Sequence, residues 1–167
     1  LAPLRETGRV GCVLAQFPWS FRNTAENRDY VAALPGRMQG LPTVVEFRNR
    51  DWVGEETFSL LRRCGLGFCC VDEPRLKGLM PPLAVATSPI GYVRFHGRNA
   101  QKWWQHEEAW QRYDYLYSEV ELSEWVPRVQ ALAAATCDTF VFFNNHYEGK
   151  AGKNARMFTQ LLLPLPE

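Results

Sequence analysis

The chain has 167 residues, of which 46% are hydrophobic and 13% aromatic, and its 19 basic and 18 acidic residues leave a net charge of +1. This composition excludes disordered, collagen-like and coiled-coil proteins, and the length suffices for one sizeable core. Because the charges nearly balance, a site for nucleic acid or phosphate must be a local patch. No apolar run reaches the roughly 18 residues of a membrane helix, so we expect no membrane association.

The cysteines are odd in number and form no Cys-x-x-Cys pair; they are Cys12, Cys64, Cys69, Cys70 and Cys137. Most lie inside apolar runs. Cys69 and Cys70 are adjacent, so in a strand they point to opposite faces, and we assign both to packing. This usage is typical of a reduced protein and predicts a cytoplasmic location.

Five short segments predict buried β-strands, because each is rich in β-branched or aromatic residues and is bounded by Gly, Pro or Asn. The predicted strands are residues 11–18, 42–49, 67–73, 91–97 and 139–146, with a further short strand considered at 84–87. Helical patterns occupy residues 26–34, 55–64, 124–135 and 151–163. This alternation of strands and helices predicts a parallel α/β sheet.

Three residues mark predicted helix ends. Gly65 suits the left-handed conformation that stops a helix, and Ser123 is a candidate N-cap for the helix that follows it. Pro127 is compatible with that helix only near its first turn. No repeat, low-complexity tract or Ser/Gly-rich linker divides the chain, so we expect one domain or part of one.

The most informative pattern is that each predicted strand stays apolar until its carboxyl end, where charged or amide side chains appear. These side chains are Gln16, Glu46, Arg48, Asp72, Arg94, His96, Asn144 and Asn145. Strand side chains alternate in direction, so Arg94 and His96 share one face while Phe95 takes the other. In parallel α/β folds, ligands bind outside the carboxyl ends of the strands. We therefore predict that the polar side chains face a shared interior and form a site there.

Two roles are expected at this site. The candidate catalytic acid and base groups are His96, Glu46 and Asp72. The candidate ligand-binding residues are Gln16, Arg48, Arg94, Arg98, Asn144, Asn145 and Asn154. Arginine suits this task because its planar guanidinium binds a carboxylate or phosphate through two parallel hydrogen bonds.

Each candidate also has a structural interpretation. Glu46 and Arg48 form a plausible buried ion pair at the end of a barrel. Asp72 is placed to cap a turn before Pro74, and His96 to be a hydrogen-bonded core histidine. Asn154 is placed to cap the last helix.

The sequence contains no phosphate-binding P-loop, dinucleotide-binding glycine motif, nucleophile elbow or His-Glu-x-x-His zinc motif. Three histidines without close ligand spacing predict no metal site, although Glu46, Asp72, His96 and His146 are suitable ligand types. No cofactor is identified.

The long connection over residues 98–121 is rich in aromatic residues, namely Trp103, Trp104, Trp110, Tyr113, Tyr115 and Tyr117. One interpretation is that these rings stack on bases or sugars beside a basic pocket. The other is that they cover the core and seal a barrel mouth, which is the commoner use of such residues.

The strand endings resemble those of the YecE-like family, an uncharacterised group known as a domain of unknown function. The matching motifs are Gln16-Phe17-Pro18, Val45-Glu46-Phe47-Arg48, Asp72 with Pro74, Tyr92 to Arg98, Tyr113 to Leu116, Phe143 to His146, and Asn154-Ala155. The resemblance implies a TIM-barrel-like (β/α) fold and no established reaction. Such proteins are likened in shape to endonuclease IV and sugar isomerases, which suggests phosphodiester or nucleic-acid chemistry by analogy only.

A complete (β/α)₈ barrel takes about 250 residues. We therefore expect residues 1–167 to be the C-terminal part of a single YecE-like barrel domain, a partial barrel that lacks the N-terminal βα units. The first strand would then be an exposed edge.

Two functional hypotheses follow. In the first, an enzyme-like pocket binds or hydrolyses a phosphate-containing ligand, which would make the protein a hydrolase acting on phosphoesters. In the alternative, the same groove is a nucleic-acid binding module without catalysis, with Trp103 and Trp104 as stacking platforms. The expected partner is accordingly a small anionic ligand or nucleic acid.

Overall fold

A computed structural model describes residues 2–163 of the chain. Five strands lie in chain order across one sheet, and each pairs in parallel with the next. They are β1 (Val13–Gln16), β2 (Thr43–Glu46), β3 (Gly67–Asp72), β4 (Ile90–Phe95) and β5 (Asp138–Phe143). The architecture is an α/β half-barrel, and β1 and β5 are the edges of the described sheet.

In the described part of the chain, seven α-helices accompany the strands: α1 (Ala2–Glu6), α2 (Ala25–Ala32), α3 (Leu34–Arg37), α4 (Glu55–Arg63), α5 (Glu119–Ser123), α6 (Val126–Ala134) and α7 (Lys150–Leu162). Short 3₁₀ helices occupy Arg50–Trp52, Ala109–Tyr113 and Tyr147–Gly149. As predicted, α4 ends next to Gly65, whose φ of 64° is left-handed. Within residues 2–163, no helix is long and apolar enough to cross a membrane.

Two local predictions are wrong. Residues 84–87 form no strand. Val85 N–H donates to a side chain, Cys70 Sγ at 3.4 Å, and not to the backbone of a neighbouring strand. Ser123 ends α5 rather than capping the next helix. The N-cap of α5 is Ser118, whose side chain accepts a hydrogen bond from Glu121 N–H, while the Glu121 side chain accepts one from Ser118 N–H. Pro127 does lie in the first turn of α6, as expected.

The predicted strands also run past the observed carboxyl ends by up to three residues. Several of the extra residues are polar, among them Arg48, Glu73, His96 and Asn144, and their side chains contact partners outside the backbone hydrogen bonds of the sheet. At one of these exits Gly97 has a φ of 91°, and a Cβ there would lie 2.8 Å from Tyr115 Cβ. Only glycine allows this turn without strain.

The register divides the strand side chains between two faces. Phe95 of β4 stands beside Asp72 of β3 and Phe143 of β5, whereas Arg94 stands beside Val71 and Phe142. The Phe95 face is the outer one, where its ring packs against Phe143, with ring centroids 4.6 Å apart, and against Trp125.

Phe47 similarly stacks on Trp52, with centroids 4.2 Å apart, beneath the helices. The main core therefore lies between the sheet and its helices. Cys69 and Cys70 are buried and unpaired, consistent with packing.

Candidate functional site

The inner face of the sheet carries a buried ionic cluster centred on Glu46, the last residue of β2. Its Oε1 lies 2.7 Å from Arg48 Nε and 3.1 Å from His96 Nε2. Its Oε2 accepts a hydrogen bond of 2.5 Å from an Arg94 terminal nitrogen. Glu46 and His96 are fully buried. Arg94 and His96 therefore point to the same face, as predicted, and so do Glu46 and Arg48.

The protonation states in this cluster follow from its charges. Burial alone would raise the pKa of Glu46, but the hydrogen bond and charge of His96 and the charges of Arg48 and Arg94 lower it to about 2. Burial, together with the charge of Arg48, lowers the pKa of His96 to about 4. At neutral pH an ionised Glu46 therefore accepts a hydrogen bond from a neutral His96.

Two further predicted residues complete the inner cluster. Gln16 Oε1 accepts a 2.8 Å hydrogen bond from Arg94. Asn144 Nδ2 lies 3.2 Å from His96 Nδ1, and an amide donor here places the imidazole proton on Nε2, facing Glu46. Both ring nitrogens of His96 therefore make hydrogen bonds, one with Glu46 and one with Asn144. This arrangement is typical of a residue that holds its neighbours in position.

Asp72 lies outside this cluster, so the prediction of one shared interior is wrong for it. Asp72 stands beside Phe95 on the outer face, and Arg98 binds both its carboxylate oxygens at 2.8 Å. Tyr117 Oη and Trp125 Nε1 donate to the same carboxylate at 2.8 and 2.7 Å. Glu124 also accepts from Arg98 at 3.0 Å. Asp72 and Arg98 therefore connect β3 to the aromatic segment, residues 98–121, and to Glu124 and Trp125 between α5 and α6.

Asn145 and Asn154 belong to the outer face as well, and both are fully buried. Asn145 Nδ2 donates to Asn154 Oδ1 and to the Tyr115 carbonyl, each at 2.8 Å. Asn154 also bonds the backbone N–H and C=O of Tyr117, at 3.1 and 2.8 Å. The capping interpretation of Asn154 is wrong, because α7 begins at Lys150 and Asn154 lies inside it. Both amides hold the aromatic segment against the sheet.

A pocket of about 230 Å³ opens beside the inner cluster. It is lined by Gln16, Pro18, Trp19, Arg48, Glu73, Leu79, Trp103, Trp104, Arg112 and Tyr113. Only Gln16 and Arg48 among the candidate ligand-binding residues reach it. Trp103 and Tyr117 are buried, which confirms the covering role for these two rings. Trp19 and Trp104 remain 40% and 50% exposed at the pocket.

Glu73 and Arg112 line this pocket, and neither is among the residues predicted from the sequence. Glu73 is fully buried. Its Oε1 accepts a 2.8 Å hydrogen bond from Met80 N–H, and its Oε2 lies 3.5 Å from an Arg48 terminal nitrogen. Burial raises the pKa of Glu73 to about 7, against the opposing charge of Arg48. Alternation places Glu73 on the face opposite Asp72, but which of the two side chains points inward depends on the register of the sheet.

Unsatisfied polar atoms concentrate at the same pocket. Among residues 2–163, four buried side-chain nitrogen or oxygen atoms make no hydrogen bond: Arg48 Nε, Glu73 Oε2, Arg112 Nε and Asn145 Oδ1. The first three belong to lining residues. Although Arg48 Nε lies close to Glu46, its N–H makes no hydrogen bond there. The described residues bring no three His, Cys, Asp or Glu side chains together as metal ligands.

Parallel strands with a polar, aromatic-walled pocket beyond their carboxyl ends define an α/β half-barrel protein with a candidate small-ligand site. The chain belongs to the family described as protein of unknown function DUF72, whose model matches residues 1–166. The resemblance to YecE-like proteins is thereby confirmed at the level of the family.

Individual relatives agree with this assignment. The chain is 34% identical to the UPF0759 protein YunF of Bacillus subtilis, over 97% of this chain and 61% of the relative. A crystal structure of a DUF72 family protein from Thermotoga maritima is 42% identical, with a TM-score of 0.88 over 96% of this chain and 61% of the other. One from Enterococcus faecalis is 28% identical, with a TM-score of 0.88 over 99% and 63%.

The chain thus spans about three fifths of the length of these relatives. That it corresponds to the C-terminal part of one barrel domain stays a prediction, and so does the cytoplasmic location.

Proposed function

We propose that the pocket lined by Arg48, Glu73 and Arg112 binds a small anionic ligand, with a phosphate-containing compound as the first candidate. The observation that carries this proposal is that three lining residues hold buried polar atoms without a hydrogen bond: Arg112 Nε has no polar partner, while Arg48 Nε and Glu73 Oε2 keep only ion-pair contacts, with Glu46 and Arg48 respectively. A buried donor or acceptor without a partner costs about 1–3 kcal/mol. A ligand that bonds to Arg112 and Glu73 would recover part of that free energy on binding.

The charges favour an anion. Arg48 and Arg112 line the pocket, and Arg94 lies in the inner cluster beside it, where it pairs with Glu46. Glu46 is ionised, and Glu73, with a pKa of about 7, is only partly so. Three cations against one or two anions leave a positive excess. Arginine N–H groups are well suited to phosphate and carboxylate oxygens.

The predicted catalytic residues take a supporting role in this proposal. Glu46 and Arg94, with His96 behind them, hold Arg48 in place. Should the site hydrolyse a phosphoester, Glu73 is the group at the pocket wall with a pKa suited to giving up a proton near pH 7. We do not extend the proposal to nucleic acid, because Arg98 is bound by Asp72 and Glu124 instead of facing the pocket.

The test is a calorimetric titration of the full chain with inorganic phosphate at low ionic strength. We expect saturable binding that Arg112→Gln weakens by about tenfold or more, the equivalent of one strong hydrogen bond. Arg63→Gln is the matched control, since it removes the same charge from an exposed position on α4. Equal weakening by both variants, or the absence of saturable binding, would overturn the proposal.

A further inference from the structure

The pocket has three features that a bare phosphate ion leaves unused: its size, its exposed indole rings and its buried carboxyl group. Building on the proposed function, we infer that its ligand is a single polyhydroxylated ring that carries one anionic group, such as a monosaccharide phosphate or a sugar acid. Each feature contributes a separate argument.

Size sets an upper limit on the ligand. The pocket measures about 230 Å³, below the roughly 300–1,000 Å³ of sites that enclose drug-sized molecules. A nucleotide, which has a base in addition to its sugar and phosphate, exceeds such a volume. One six-membered ring with its substituents fits better, and a single phosphate ion leaves much of the pocket unfilled.

Two indole rings supply a surface for such a ring. Trp19 and Trp104 line the pocket and meet edge to face, with ring centroids 5.7 Å apart and an interplanar angle of 74°. Trp19 Nε1 donates to the Gly78 carbonyl at 3.2 Å, which fixes the orientation of this ring. The face of an indole carries partial negative charge and attracts the weakly positive C–H groups of a sugar ring. Both rings are exposed, so they are available to a ligand.

Glu73 supplies the argument for hydroxyl groups. Its buried Oε2 makes no hydrogen bond and has only a 3.5 Å contact with an Arg48 terminal nitrogen, and the nearby Arg112 Nε lacks an acceptor. A hydroxyl group both donates and accepts, so a sugar ring can satisfy the carboxyl oxygen and an arginine together. A phosphate oxygen that carries negative charge would repel an ionised Glu73, whereas a neutral hydroxyl group would not. The mixed lining therefore fits a ligand with hydroxyls at one end and an anion at the other.

The experiment compares five probes by calorimetric titration of the full chain: glucose 6-phosphate, glucuronate, inorganic phosphate, glucose and adenosine 5′-monophosphate. We expect glucose 6-phosphate or glucuronate to bind at least about tenfold more tightly than the other three. The comparison of these two shows whether the anionic group is a phosphate or a carboxylate.

Trp104 is the residue to vary, because it is half exposed and its loss spares the core. Trp104→Ala should remove most of the preference for the anionic sugar while leaving the affinity for inorganic phosphate within about twofold. Trp104→Phe should restore part of that preference. Leu116→Ala, which truncates another exposed apolar side chain away from the pocket, is the control and should change neither affinity.

The outcomes separate the two proposals. If inorganic phosphate binds as tightly as the anionic sugars, or if Trp104→Ala leaves the preference unchanged, the inference on the ring is overturned and the anion site stands. If glucose or adenosine 5′-monophosphate binds as tightly as the anionic sugars, the inferred ligand class is wrong. If no anionic probe binds saturably, both proposals fail.

Discussion

Asp72 and Glu73 are consecutive in the chain, yet their carboxyl groups serve opposite faces of the sheet. Asp72 accepts hydrogen bonds from Tyr117 and Trp125 on the outer face. Glu73 turns inward to the Arg48 side of the pocket. This division separates the polar residues at the strand ends into a group on the outer face, which supports the fold, and a group on the inner face, beside the pocket.

The first prediction concerns the outer group. Asp72→Asn keeps the shape of the side chain but removes the charge opposite Arg98. We expect the free energy of unfolding to fall by about 2–3 kcal/mol, less than for a fully buried pair because Arg98 is partly exposed. Urea denaturation measures the loss. Calorimetry with inorganic phosphate should show unchanged affinity.

The matched control is Asp51→Asn, since Asp51 forms a comparable ion pair with Arg22 at 2.7 Å on the surface. Exposed pairs contribute little, so this variant should lie within about 0.5 kcal/mol of the parent chain. A stable Asp72→Asn variant with weakened phosphate binding would instead place Asp72 in the ligand site.

The second prediction concerns the pH dependence that Glu73 imposes. The pKa of Glu73 is about 7 in the folded chain, against an ordinary value of 4.5. As the pH rises from about 4.5 to 7, the unfolded chain releases this proton while the folded chain retains it. Glu73 therefore lowers the free energy of unfolding across that window by about 3 kcal/mol, with no further change above it.

Urea denaturation at several pH values between 4.5 and 8 tests this effect, with Glu73→Gln as the comparison. The variant lacks the titrating group, so its stability relative to the parent chain should improve by about 3 kcal/mol as the pH rises through the window. Parallel pH profiles for the two proteins would show that Glu73 titrates in the ordinary range.

The third prediction concerns the centre of the inner cluster. Glu46→Gln leaves the buried charges of Arg48 and Arg94 without their main partner. We expect a loss of about 3–5 kcal/mol in the free energy of unfolding, which thermal and urea denaturation both report. Glu55→Gln is the control, because Glu55 pairs with Arg62 on an exposed part of α4 and should contribute little. Equal stabilities of the two variants would contradict the central role of Glu46.

The fourth prediction concerns the turn at Gly97. Gly97→Ala imposes a φ of 91° on an alanine and drives its Cβ against Tyr115, and together these effects should cost about 2–4 kcal/mol. Gly152→Ala is the opposite case, since a Cβ in that position of α7 meets no atom within 4 Å. It should stabilise the chain by about 0.5–1 kcal/mol. Urea denaturation measures both changes. If the free energy of unfolding changed in the same direction in both variants, this explanation of the turn would be refuted.

Much of the fold is predictable because apolar strands and helical patterns alternate clearly along the chain. The inner cluster is predictable too, since Arg94 and His96 share a face by alternation within one strand. Asp72 could not be assigned in this way, because its direction depends on the register that sets it beside Phe95. Arg112 reaches the pocket from a 3₁₀ helix in a long connection, and the path of that connection depends on tertiary contacts.

The central claim is that Arg48, Glu73 and Arg112 form a ligand site, and a crystal structure of the full chain with glucose 6-phosphate tests it most directly. We predict electron density for the ligand in this pocket, with oxygen atoms within about 3.2 Å of Arg112 Nε and of a guanidinium nitrogen of Arg48. We also predict a hydroxyl group at hydrogen-bond distance from Glu73 Oε2. Density elsewhere on the protein, with only water against these three side chains, would contradict the claim.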